Sequence, residues 1–238
     1  MTFIEALNSQ DLEKIRKFPK ADLHNHFVLG GSREYIFNKT GYKIKSITTP
    51  LKSMGEMDSW SSKYIGNHFN SPEGRKLLIE ATFAQAKFDG VTVLEIGEDV
   101  WGLGEFFDND IEKMIFCFQE ANARIAPEIE LRLQIGLSRH CSVDYLMNCL
   151  SHFWGHKEFY SIDLYGDELA QSIANFIPIY DKAAENGLVL KAHVGEWGTA
   201  KDIITAVELL HLNEVQHGIA AVQDENVIEY LIENNIRL

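Results

Sequence analysis

Lys20-Ala21-Asp22-Leu23-His24-Asn25-His26 is the stretch whose reading decides the fold. It is short and partly apolar, as a strand end is, and residues i and i+2 of a strand point to one face. His24 and His26 therefore aim their imidazoles into one space, and imidazole is a common zinc ligand. Standing alone, such a pair is more often two packed or hydrogen-bonded histidines than a metal site. The balance shifts because His193 and His217 also close short apolar runs in the second half of the chain. The rest of the sequence then reads as a scaffold that gathers strand ends.

Bulk properties exclude several classes. The 238 residues suffice for one large α/β domain or two small ones. A formal net charge of -13 argues against nucleic acid, whose phosphates need Lys and Arg, and suits a small neutral substrate. Cys117, Cys141 and Cys149 form neither a disulfide framework nor a zinc-ribbon spacing, which predicts reduced thiols and a cytoplasmic setting. Residues 1–17 lack the apolar segment of a signal peptide, and no run approaches the roughly 20 apolar residues of a membrane span.

Outward from the first strand, read as residues 21–26, Asn8 or Ser9 is expected to cap a short helix that Pro19 stops. Phe27-Val28-Leu29-Gly30-Gly31-Ser32 reads as a turn. Residues 27–70 form an excursion above that strand, of the length that lids and binding loops have, and Trp60, Tyr64 and Phe69 could line an apolar subsite in it. Ser71-Pro72-Glu73 starts a regular helix, with Leu77, Ala81, Ala84 and Phe88 on one face and Asp89-Gly90 at its end. Strands follow at 91–96, 130–137, 159–164, 188–193 and 213–217. Helices are expected at 108–126, 143–151, 167–185, from the Thr199-x-x-Asp202 capping box to Leu210, and at 224–233. Ile236-Arg237-Leu238 begins a seventh strand.

Strands alternating with helices call for a parallel sheet. A doubly wound sheet is disfavoured because no G-x-G-x-x-G follows the first strand. Polar residues cluster instead at the C-terminal ends of several strands, where TIM barrels keep their chemistry. The expected fold is thus a TIM (β/α)8-type barrel, a single domain over 1–238, incomplete in this chain at six strands and the start of a seventh. The exposed apolar flank of such a barrel predicts self-association or a missing segment held against it.

Four segments sit at strand ends: Leu23-His24-Asn25-His26, Ile162 to Glu168, His193-Val194-Gly195-Glu196, and Gln216-His217-Gly218. In this order and spacing the chain resembles the adenosine deaminase family of the amidohydrolase superfamily, zinc-dependent barrels that hydrolyse the exocyclic amine of a purine. The resemblance implies that His24, His26 and His193 are zinc ligands, which leaves a coordination position for water. It implies that Glu196 protonates the purine ring nitrogen, that His217 orients the attacking hydroxide, and that the backbone amide of Gly166 meets the purine. Asp163 reads as a zinc-ligand partner or a buried strand residue. His152 and His156, like His68, His140 and His211, receive no role.

Two departures stand out. The family reads H-x-H-L-D-G, with the aspartate on the ribose, where this chain has Phe27 to Gly31 and no carboxylate. The family's fourth protein ligand, an aspartate of a later Thr-Asp-Asp segment, has no counterpart here. The expected activity is zinc-dependent hydrolytic deamination of adenosine or a related aminopurine. The alternatives are another amidohydrolase-superfamily reaction, or a truncated chain that binds a purine without turnover.

Overall fold

The computed structural model describes residues 2–238, and the chain divides into two compact units, Met1–Ile96 with Glu112–Arg132, and Gly97–Ile111 with Leu133–Leu238. Six strands are named in chain order: β1 (Lys20–Asn25), β2 (Val91–Asp99), β3 (Glu130–Ser138), β4 (Phe159–Tyr165), β5 (Val189–Val194) and β6 (Glu214–His217). Among the described residues no helix is long and apolar enough to cross a membrane.

In the first unit β1 pairs parallel with β2, Ala21 opposite Val93 and Asn25 opposite Ile96. The long helix Pro72–Asp89 begins where the sequence places it, with the Ser71 hydroxyl accepting the Gly74 N–H at 3.0 Å. It ends at Gly90, whose φ of 73° favours a residue without a side chain. Its buried face is turned in part from the expected one: Ala81 is buried as expected, with Leu78, Ile79 and Phe83 beside it in the core, whereas Phe88 is exposed beneath the Arg16 guanidinium. Phe27 packs edge-on to Phe118 of the helix Ile111–Ile125, their ring centroids 5.9 Å apart. The N-terminal helix also differs from expectation. Two short helices, Phe3–Asn8 and Leu12–Arg16, are capped by Thr2 and Asp11 rather than by Asn8 or Ser9. Phe27–Gly30, read as a turn, is a short helix. Short helices at Arg33–Thr40, Met54–Ser61 and Asn67–Phe69 punctuate the segment that follows.

Replacing Ser71 by Ala is expected to cost about 1 kcal/mol, the usual value of an N-cap hydroxyl. Chemical denaturation measures it, and an unchanged midpoint would mean that this helix end does not limit stability.

In the second unit β3, β4, β5 and β6 lie side by side in that order, all parallel. Their apolar residues (Ile135, Ile162, Leu164, Leu190, Ala192, Val215) are buried among helices Ile177–Glu185 and Ala200–Leu210, whose Ile179, Ala183, Ile203 and Leu210 are also buried. The helix expected from Asp167 starts only at Ile177, after a 3-10 turn at Ile173–Phe176. Pro178 gives the reason: it lacks an N–H and fits only the first helical turn. The capping box holds, with Asp202 accepting the Thr199 N–H and hydroxyl, each at 2.7 Å. Arg237 makes an isolated parallel bridge to Glu214, at the place where the sequence leads one to expect a seventh strand.

Candidate active site

The face of β3–β6 opposite the apolar one is polar and buried. Register places Gln134 beside Ser161, Asp163 beside Lys191, Lys191 beside Glu214, and His193 beside Gln216. All of these side chains are buried, Lys191 completely. A buried polar group is costly unless it is paired, and here each finds a partner. The His193 Nδ1 lies 3.2 Å from Asp163 Oδ1, and Asp163 Oδ2 accepts from Gln134 Nε2 at 3.3 Å. The Gln134 Oε1 accepts from the Lys191 ammonium at 3.4 Å, and Lys191 pairs with Glu214 Oε2 at 3.6 Å. Glu214 also holds Arg237 at the surface. A carboxylate on Nδ1 fixes the proton there and leaves the Nε2 lone pair of His193 for a ligand.

His217 ends β6 in the left-handed region, φ 67°, followed by Gly218 at φ 60°. Strand alternation groups residue 217 with Val215 on the apolar side, yet the ring centroid of His217 lies 5.0 Å from that of His193. The left-handed turn breaks the alternation just where the ring departs from it. His193 and His217 offer ring nitrogens within 4.8 Å of each other, a separation that a shared cation tolerates. The His217 Nε2 is also 3.3 Å from Glu196 Oε2. Burial pushes the His217 imidazole below its ordinary pKa against the pull of the Glu196 carboxylate, and His193 adds to the depression. Neutral imidazole is therefore the favoured form.

Tyr165, at the end of β4, faces His193 with ring centroids 5.7 Å apart. Burial pushes its phenol well above the usual range, with the Asp99 carboxylate adding, so the hydroxyl keeps its proton. That hydroxyl passes over Gly136, where a Cβ would stand 2.2 Å from it. Gly166 follows with φ 92°, and a Cβ there would also meet His140 Nδ1 at 3.1 Å.

In the first unit, His24 and His26 are half-buried with ring centroids 5.3 Å apart. His26 lies just past the strand and opens the helix Phe27–Gly30. Asp22 accepts from the Asn25 side chain at 2.7 Å and from the His24 backbone N–H at 3.4 Å, which fixes the chain between the two histidines. A cavity of about 150 Å3 is lined by apolar residues including Leu29, Ile36, Met57 and Trp60. Trp60 is thus at a cavity wall as the sequence suggests, while Phe69 is buried against Tyr42.

Of the residues singled out in the sequence, His193, Glu196 and His217 come together in the second unit and His24 with His26 in the first. His211, without an assigned role, is the left-handed C-cap of helix Ala200–Leu210, and His68 stacks on Tyr42 at 3.9 Å. Lys191, Gln134 and Tyr165 escaped sequence reasoning. Lys191 did leave a signal, a lone charge inside the apolar run Leu188 to Ala192.

The sequence profile of the family described as Adenosine deaminase matches residues 100–238. An adenine deaminase of Vibrio parahaemolyticus is 34% identical over 94% of this chain and 70% of its own length. Among solved structures, an adenine deaminase from Arthrobacter aurescens superposes with a TM-score of 0.69 at 23% identity, covering 91% of this chain and 69% of that one. An amidohydrolase from Burkhoderia ambifaria with bound Zn superposes with a TM-score of 0.73 at 18% identity, covering 93% and 64%. These superpositions show the fold to be a TIM-type (β/α) barrel, present in part. With parallel strands, polar strand ends and the profile match all agreeing, the chain belongs to the adenosine deaminase family and is an adenosine deaminase-like aminohydrolase.

Proposed function

We propose that this chain carries the site of a zinc-dependent hydrolytic deaminase of a small aminopurine, releasing ammonia. The observation that carries the reading is the arrangement of Glu196 against His217, and of His217 against an Asp163-held His193. Each group of donors has the chemistry that zinc takes: in the second unit His193 has its Nδ1 occupied by a carboxylate, and in the first His24 and His26 carry two imidazoles at one strand end. His24, His26 and His193 would hold the ion, which when bound brings the pKa of a water towards neutrality. Glu196 then carries the proton destined for the purine ring nitrogen and makes the adjoining carbon electrophilic. His217, held neutral, accepts a hydrogen bond from the attacking water and fixes its approach. The backbone N–H of Gly166 donates to the purine ring from a position whose φ of 92° favours a residue without a side chain. The water oxygen joins the ring carbon as one of its protons passes by way of His217 to the amine; the carbon–nitrogen bond breaks to release ammonia, and the second water proton returns to Glu196, whose own proton stays on the ring nitrogen.

Residues 27–31 offer no carboxylate to a ribose, which favours the free base over the nucleoside. The test is ammonia release from adenine, adenosine and adenosine monophosphate by zinc-loaded protein. Turnover of adenine ahead of adenosine supports the reading, and protein with about one equivalent of zinc that releases ammonia from none of them ends it.

Asp163→Asn is expected to weaken zinc about 10–100-fold, because an amide can present its N–H2 to Nδ1 and reverse the tautomer of His193. Competition with a chelator measures this. Unchanged affinity would leave Asp163 as an ordinary buried strand residue.

A further inference from the structure

Glu168 sits two residues past Gly166 and is 5% exposed. Its carboxylate instead gathers the backbone of the turn after β5. Oε2 accepts from the Glu196 N–H at 3.4 Å, and Oε1 accepts from the Trp197 N–H at 2.6 Å and from the Gly198 N–H. Three consecutive amides around one carboxylate form an anion nest, filled by a side chain from thirty residues earlier. Gly198 is shaped to it: a Cβ there would stand 2.8 Å from Glu168 Oε1. The chain enters the turn through Gly195 at φ 74° and leaves it into the capping box at Thr199. Without the nest, Glu196 would sit on a short irregular segment between a glycine and a helix start.

We infer that Glu168 is a positioning residue that fixes the Glu196 carboxylate by clamping the backbone on which it is carried, an inference that rests on the proposed role of Glu196. Its effect runs through the main chain, so it acts on the rate and not on the affinity for the purine or the metal. A clamp of this kind matters because misplacing a reacting group by about 1 Å can cost about 100-fold.

The experiment uses Glu168→Gln in the full chain. The amide keeps the length but turns an N–H2 towards one of the three backbone donors. Amide hydrogen exchange of the segment 196–198, zinc content, and kcat and KM for adenine are measured. The expected result is exchange about tenfold faster at these amides, kcat down about 10–100-fold, KM within about threefold and zinc unchanged. Faster exchange with kcat intact would make Glu168 merely structural and overturn the inference, as would unchanged exchange. Gly198→Ala, which displaces the carboxylate without removing it, gives the same pattern if the inference holds and serves if the first variant does not fold. Wild-type protein that deaminates no aminopurine would defeat the functional reading, whereas the exchange measurement still judges the clamp.

Discussion

Glu196→Gln is expected to lower kcat for deamination by about 100- to 10,000-fold, the range general acid catalysis contributes. The substitution preserves shape and leaves an acceptor oxygen near His217 Nε2, now 3.3 Å from the carboxylate, but it cannot carry a transferable proton. Binding of the purine and of zinc should therefore survive. Steady-state kinetics on the fastest substrate, with zinc quantified alongside, separates the two effects. A variant retaining a tenth or more of the wild-type kcat would remove Glu196 from the role of acid.

Lys191→Met is expected to destabilise the protein by about 3–5 kcal/mol, the cost of breaking a buried ion pair from one side. Lys191 is fully enclosed, and its loss deprives both Gln134 Oε1 and Glu214 Oε2 of their cationic partner. Arg237 still reaches Glu214 from the surface but cannot replace a buried charge. Combining Lys191→Met with Glu214→Leu should recover most of the loss, since two apolar residues in place of a buried pair are close to neutral. Denaturant titration of the single and double variants measures both. A single variant within about 1 kcal/mol of wild type would mean that the pair is not what holds these strand bases together.

The elements the sequence reveals are those governed by local rules. The capped helix starts at Ser71 and Thr199, the β-branched strands and the parallel arrangement are all in place because cap chemistry and periodicity act over a few residues. The errors fall where tertiary contact overrides the local pattern. The face of helix Pro72–Asp89 is rotated because Thr82 bonds to the Phe27 carbonyl and Glu80 is engaged by Tyr35 and Arg124, none of which periodicity can register. The helix placed from Asp167 starts only at Ile177, where Pro178 sits in its first turn, and the residues before it include Glu168, which accepts from backbone amides of another loop. In the site, histidines at strand ends were visible as a pattern, whereas Lys191 and Gln134 matter only through a register that brings distant strands side by side.

The Tyr165 hydroxyl over Gly136 makes the history of the two positions order-dependent. Gly136 has no left-handed backbone to explain it, and the nearest atoms that a side chain there would meet belong to the tyrosine. A lineage could enlarge residue 136 only after residue 165 had shrunk, and shrinking it first would vacate the edge of the His193 ring. Substitution at a silent-looking glycine is thereby conditional on a residue at the site, and the pair should drift together or not at all.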